Sequence, residues 1–413
     1  MNVHLTFHQQ PATHNPQLSI TGSKSETNRL LLLQALYPNL KLENTSNSDD
    51  SEVMSKALQN VQPATRNPQL IDVHHAGTAM RFLTAYFATQ EGKEVVLTGS
   101  TRMKERPIKI LVEALQQLGA EISYEEQEGF PPLRIKGKKL SHSKVSLPAN
   151  VSSQYISALL LIAPKLENGL ELTLEGEITS VPYIKMTLAL LNEIGLETSF
   201  AENIIKINQK SEIVNHQSTI ESDWSSASYF YSIIALSDIG TEITLSSYKP
   251  NSLQGDSALV EIYSAFGVET IFENNSILLR KTHNPQHTTH NLQLNNCPDI
   301  AQTIAVTCFG LGIGCHLTGL HTLKIKETDR LEALKAELTK LGAMVTVTNE
   351  SLTLEPSENI NPNISIKTYQ DHRMAMAFAP LALKVPIVIE EAEVVSKSYP
   401  TFWDDLKSMG FIF

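Results

Sequence analysis

The chain has 413 residues, 41% apolar and 19% charged, with a formal net charge of −11. That is a globular composition, long enough for two domains of about 200 residues each. An acidic surface repels nucleic acid and anionic membranes, so any cationic site has to be local and concave.

The start, Met1 to His8, shows no basic end leading into an apolar run, so no signal peptide is expected. The first strong signal is Gly22-Ser23-Lys24-Ser25-Glu26-Thr27-Asn28-Arg29 before an apolar run, Leu30 to Leu36. Ser23 and Glu26 have capping-box spacing, so a helix begins here, and its free amides with Lys24 suit an anion. Ser25 and Arg29 share one helix face. A plain capped surface helix would read the same way.

His75-Ala76-Gly77-Thr78-Ala79-Met80-Arg81 repeats the pattern. Gly77 admits a ligand to the backbone, Thr78 is a cap, and Arg81 in a first turn signals an anion nearby. Met103-Lys104-Glu105-Arg106-Pro107-Ile108 supplies further cations, and Arg suits bidentate contacts to carboxylate or phosphate. Val151-Ser152-Ser153-Gln154-Tyr155 starts a third helix ahead of Ile156 to Ile162. The apolar stretch there, Ser157 to Pro164, is too short to span a bilayer.

Farther on, Asp299 between Pro298 and Ile300 reads as a simple cap. Lys326-Glu327-Thr328-Asp329-Arg330 opens a helix with a stripe of Leu331, Leu334, Leu338 and Leu341. Alone, that string reads as a solvated, salt-bridged helix end. Asp371-His372-Arg373-Met374 is a fourth polar helix start, and Lys397 lies in an ordinary-looking loop. Cys297, Cys308 and Cys315 fit neither a disulfide framework nor a metal motif, and a cytoplasmic setting is expected.

One unit recurs along the chain. A helical segment ends in a glycine flanked by apolar residues, and a strand follows, at Gly119, Gly195, Gly267, Gly342 and Gly410. The intervals are 76, 72, 75 and 68 residues, too even for chance. Each glycine is a helix C-cap that takes the left-handed conformation. One more unit fits upstream, where Ala57-Leu58-Gln59-Asn60-Val61 ends a helix without the glycine. About six mixed helix/strand units, three per domain, predict an α/β protein of two repeat-built domains. The boundaries fall near residues 20 and 221: an N-terminal domain of 20–221, and a C-terminal domain of 1–19 plus 222–413. A ligand site is expected between them.

Taken together and in order, the GSKS, AGTAMR, RMKERPI, VSSQ, KETDRLEAL and DHRMAM strings resemble those of the 5-enolpyruvylshikimate-3-phosphate (EPSP) synthase family, from about residue 18 to residue 400. The resemblance implies a two-domain inverse α/β barrel with three units per domain. The implied reaction carries the enolpyruvyl group of phosphoenolpyruvate (PEP) to shikimate 3-phosphate on the way to chorismate and aromatic amino acids. A monomer with no metal or organic cofactor is implied.

Position by position, Lys24, Ser25, Arg29, Ser152, Ser153, Gln154, Ser180, Tyr183, Asp299, Thr322 and Lys326 correspond to contacts with shikimate 3-phosphate. Lys24, Gly77, Thr78, Arg106, Gln154, Arg330, His372, Arg373 and Lys397 correspond to the PEP side, where glyphosate competes. Asp299 is implied as the base for the attacking hydroxyl, and Glu327 with Lys24 handles the methylene proton. Departures from the family pattern are Thr322 and His75 for Asn, Phe82 for Pro, Lys109-Ile110 for Gly-His, and a short segment from Pro63 to Val73. The sister reaction on UDP-N-acetylglucosamine is disfavoured because Thr98 to Arg106 holds no cysteine. A non-catalytic anion-binding protein is disfavoured by the joint presence of Lys24, Asp299, Glu327 and Arg373, and a nucleic-acid-processing relative by the net acidity.

Overall fold

The computed structural model describes residues 1–7, 15–59, 68–150, 152–176, 178 and 181–413, with the backbone alone at 325. The chain divides into two compact units, one of Met1–Thr21 with Glu221–Phe413 and one of Gly22–Ile220.

Both units are built from one βαβαββ repeat. A complete copy runs through strand Gln69–Asp72, helix Gly77–Ala88, strand Glu94–Thr98, helix Lys109–Gln117 and the hairpin of Glu121–Tyr124 with Leu133–Lys136. The first two strands pair in parallel, and the last two add antiparallel neighbours. Among the described residues the same order of pairing recurs in five four-stranded sheets. The sixth sheet has two strands, Lys41–Glu43 and Gln217–Thr219, paired in parallel. Asn60, Val61 and residues 63–67, where the upstream unit and the short segment were expected, lie outside the described residues.

The recurring glycines end the second helix of five repeats. Gly119, Gly195, Gly267, Gly342 and Gly410 have φ of 100°, 89°, 83°, 104° and 97°, where a β-carbon clashes with the backbone. The repeat read from the sequence is therefore a backbone requirement. Strand Ser276–Lys281 and the fully buried Leu331, Leu334, Leu338 and Leu341 also match their sequence patterns.

Two chain segments complete repeats far away in sequence. Gln17–Leu18 pairs in parallel with Glu242–Ser246 and opens a repeat that continues with helix Trp224–Leu236. Val3–Phe7 pairs antiparallel with Ile387–Ile389 and Phe411–Ile412, closing the last repeat.

The first helix of each repeat is internal. Gly77–Ala88 packs on Lys24–Leu36 and Ser153–Ile162 in one unit, and Ala301–Gly310 packs on Trp224–Leu236 and His372–Phe378 in the other. These helices are buried nearly all round, as helices without a polar face must be. The strands instead alternate, as in Leu170–Glu175, so each sheet turns one face inward. Each unit is thus an inverted barrel, with helices inside and sheets outside. Repetition brings the N-termini of the three inner helices together, each with backbone N–H groups that have no acceptor within the helix.

Candidate functional site

In the unit of Glu221–Phe413, the converging helix ends carry acidic residues. Asp223 caps Trp224–Leu236 through Ser226 N at 2.9 Å, and Asp371 caps His372–Phe378 through Arg373 N at 2.9 Å. Asp299 stands in the short turn Pro298–Ile300 ahead of Ala301–Gly310. Carboxylates there compensate three parallel positive helix ends.

Arg330 joins them. It is 2% exposed, and Nε donates to Asp371 Oδ2 at 2.6 Å, Nη1 to Asp299 Oδ1 at 2.9 Å and Nη2 to Glu327 Oε2 at 2.8 Å. Burial opposes its charge, but the carboxylates of Asp371, Glu327 and Asp299 outweigh burial and hold its pKa above the ordinary value. The solvated helix end suggested by the isolated string is corrected here. The helix runs Arg330–Lys340 and is capped by Asp329, so Lys326 and Glu327 precede it and fold back toward Asp299.

Asp299 is more than a cap. Lys326 Nζ stands 3.4 Å from Oδ1, and Arg373 Nη2 3.3 Å from Oδ2. Arg373 Nη1 also donates to the Asp299 carbonyl at 3.1 Å, while its buried Nε meets no acceptor among the described residues. His372 is buried beside it, and Lys397 Nζ donates to Gln370 O at 2.8 Å. Tyr369 and Gln370, with φ of 53° and 55°, form a strained pair just before Asp371. Glu337, fully buried, fastens that pair by accepting from Tyr369 Oη at 2.7 Å and Lys367 N at 3.1 Å. Thr322 is half-buried in the turn His321–Ile325.

In the unit of Gly22–Ile220 the caps of the inner helices are Ser23, Ala76 and Ser152 instead, none of them charged. Ser23 Oγ accepts from Glu26 N at 3.4 Å, so the helix begins where the capping box put it. The cap of Gly77–Ala88 is Ala76, not Thr78, whose hydroxyl instead accepts from Gln154 Nε2 at 3.0 Å. Ser152 Oγ takes Gln154 N at 3.4 Å, and Ser153 is buried. Lys24 Nζ lies 3.5 Å from Asp50 Oδ2, and His75 Nε2 3.5 Å from Asp50 Oδ1.

Two arginines here are internal braces. Arg29 donates through Nε to Thr187 at 2.8 Å, Nη1 to the Ser25 carbonyl at 2.7 Å and Nη2 to Ser157 at 3.0 Å, with Cζ 5.5 Å from the centre of the Phe82 ring. Thr187 in turn donates to the Tyr183 carbonyl at 2.8 Å. Arg81, read from the sequence as the mark of an anion, has a different reason to be there. It donates to the carbonyls of Gly77 at 3.2 Å and Pro107 at 3.1 Å and so fixes the loop that carries Arg106. Burial lowers both arginines to about 10, with repulsion from Arg106 adding to the shift of Arg81, and both stay charged at neutral pH.

The structure brings Asp299, Lys326, Glu327, Arg330, His372 and Arg373 into one cluster, and Lys24, Ser25, Arg29, Gly77, Thr78, Arg106 and Gln154 around the inner helix ends of the other unit. Ser180 lies outside the described residues. Sequence reasoning missed Asp50 and Ser225, which touch Lys24 and Arg373, and Asp256, which accepts from Ser225. Asp50 sits in the first turn of its helix, ordinary for an acid, and only the fold gives it Lys24. The three cysteines are free and buried, and burial with Asp256 and Asp299 pushes the Cys297 thiol up to about 12.

Five four-stranded copies of one unit and a two-stranded sixth among the described residues, with carboxylates gathered among cations at the inner helix ends, define an enzyme of the inverted α/β-barrel class. Residues 39–406 match the family model described as EPSP synthase (3-phosphoshikimate 1-carboxyvinyltransferase), and the chain belongs to that family. A 3-phosphoshikimate 1-carboxyvinyltransferase of Bacteroides fragilis is 46% identical over 407 residues, covering 97% of each chain. One from Shewanella pealeana is 35% identical, covering 95% of this chain and 96% of its own. The solved EPSP synthase of Acinetobacter baumannii superposes with a TM-score of 0.80 at 20% identity over 99% of each chain, a likeness of fold. No helix among the described residues is long and apolar enough to cross a membrane.

Proposed function

We propose that this chain transfers the enolpyruvyl group of PEP to the 5-hydroxyl of shikimate 3-phosphate and releases phosphate. The observation that carries the reading is that one buried guanidinium, Arg330, holds both Asp299 and Glu327. Two proton-handling carboxylates are thereby fixed in one cluster with Lys326 and Arg373. Both substrates carry phosphate and carboxylate, and they approach each other only where cations offset their repulsion.

In this reading Glu327, working with Lys24, delivers a proton to the PEP methylene and makes C2 electrophilic. The 5-hydroxyl oxygen adds to C2 and gives its proton to Asp299. In the second half the C2–O bond to phosphate breaks, the Asp299 proton leaves with the phosphate, and the methyl proton returns to Glu327 as the double bond re-forms. General acid and base groups of this kind contribute about 10²–10⁴-fold each. Arg106, Arg330, Arg373 and Lys397 would hold the PEP anion, and Lys24, Ser25, Ser152, Ser153, Gln154, Tyr183, Thr322 and Lys326 the acceptor. Ser180 belongs to the acceptor set by family correspondence alone.

The deciding measurement is phosphate release from PEP in the presence of shikimate 3-phosphate and, separately, of UDP-N-acetylglucosamine. Release with the first alone is expected. Release with only the second would assign the sister reaction, and release with neither would remove the transferase reading.

A further inference from the structure

Asp256 lies in the turn Gly255–Ala258 and is 6% exposed. Its Oδ2 accepts from the Ser225 hydroxyl, and its buried Oδ1 accepts no hydrogen bond among the described residues. Ser225 Oγ also accepts from Arg373 Nη2 at 3.3 Å, and that same nitrogen is 3.3 Å from Asp299 Oδ2. A line of contacts therefore runs from Asp256 through Ser225 and Arg373 to Asp299. The carboxyl cannot swing out to water. Its neighbour Gln254 accepts from Trp224 N at 2.9 Å and donates to Ser222 O at 2.9 Å, locking the turn to the inner helix.

Charge in this cluster is unbalanced. Asp223, Asp256, Asp299, Glu327 and Asp371 face Lys326, Arg330 and Arg373. The groups that act on Asp256 itself are Asp299, Asp223 and Arg373, with the Cys297 thiol nearby. An anion settling on Arg373 adds to the negative excess. The cluster relieves it most easily by taking a proton on a buried carboxylate that has an oxygen to spare.

We propose that Asp256 is a proton-linked positioning residue: binding of an anion at Arg373 draws one proton from solvent onto its carboxylate, and the neutral acid leaves Arg373 to the ligand and Asp299. The proposal rests on the reading above for the identity of that anion. Burial first, then the nearby Asp299 carboxylate, pushes the Asp256 carboxyl up to about 7, where such uptake is within reach of neutral pH.

The test is carbon NMR of the full chain with carboxyl-labelled aspartate, titrated from about pH 5 to 9, without ligand and with saturating PEP and shikimate 3-phosphate. One aspartate resonance titrating near neutrality is expected, absent in Asp256→Asn, and displaced upward by about one pH unit or more on binding. Ser225→Ala removes a donor to the charged form, so it moves the same resonance upward without abolishing it. That variant assigns the signal even if Asp256→Asn does not fold. No such resonance in the free protein, or a downward displacement on binding, overturns the proposal. A spectrum untouched by both substrates would sink the substrate reading instead, and the same titration with inorganic phosphate then decides the proton link.

Discussion

Arg106 Nη1 stands 2.5 Å from the point where a β-carbon on Gly77 would lie, with Cζ and Nη2 at 3.0 Å. The obstacle is the far end of a flexible side chain, so a methyl group there displaces the guanidinium and spares the fold. Gly77→Ala is expected to raise the KM for PEP tenfold or more, on the order of 1.4 kcal/mol, with Tm nearly unchanged. Glyphosate inhibition, expected to be competitive with PEP, should weaken further than PEP binding does. Steady-state kinetics beside a melting curve checks this, and a large fall in Tm with unchanged KM would contradict it.

Phe82 is the sixth residue of helix Gly77–Ala88 and is fully buried. Proline there removes an interior helix hydrogen bond, leaves a cavity and takes the ring away from Arg29. Phe82→Pro should therefore cost about 3 kcal/mol or more of stability, read by chemical denaturation. The family's usual residue does not suit this chain's packing.

Glu327→Gln keeps the shape of the side chain and removes its proton transfer. A loss of kcat of about 10²-fold or more is expected, with PEP and shikimate 3-phosphate still bound in a calorimeter. Turnover within a factor of two of wild type would remove Glu327 from the chemistry.

Arg330→Met strips the cation from three carboxylates, two of which, on Asp371 and Asp299, are largely buried. Leaving buried charge unpaired costs about 3–5 kcal/mol. The deficit should shrink toward acid pH, because carboxylates without a counter-ion bind protons more readily. Arg330→Lys restores the charge but cannot reach three partners with one ammonium, and should recover only part of the loss. Urea unfolding at pH 5 and pH 8 measures both.

Asp256 gives a pH dependence with a definite sign. Its folded pKa of about 7 lies above the ordinary 3.8, raised first by burial. Stability from this group is complete below about pH 4, falls as pH rises through 7, and is then constant. Asp256→Asn should match wild type near pH 4 and exceed it at pH 8 by on the order of a few kcal/mol. A variant less stable than wild type at pH 8 would show the carboxylate to be stabilising there.

The repeat was legible because it rests on local grammar. A glycine at φ of 83° to 104° ends the second helix of five repeats, and no other residue serves there at comparable cost. The capping box at Ser23 was legible for the same reason. Arg81 misled because the sequence shows its place in a first helical turn but not the carbonyls of Gly77 and Pro107. Arg330 looked like a surface charge for the same cause: Glu327 lies in its own segment, but Asp371 and Asp299 come from two others, and only the fold adds them. Asp256 and Ser225 carry no motif at all. Their significance is a matter of what faces them.

Synthesis of the chain meets its two units in different states of completion. Every described strand of the unit Gly22–Ile220 has been made once Ile220 is added. The strand Val3–Phe7 has its partners at Ile387–Ile389 and Phe411–Ile412, which are made far later. Its edge thus stays unpaired while everything between them is made, the condition in which strands seek wrong partners. Protease protection of stalled nascent chains should appear for the inner segment soon after residue 220 clears the ribosome. Protection of Val3–Phe7 should wait until the strand Phe411–Ile412 emerges. The linear order of the chain therefore makes one short strand depend on two others made long after it.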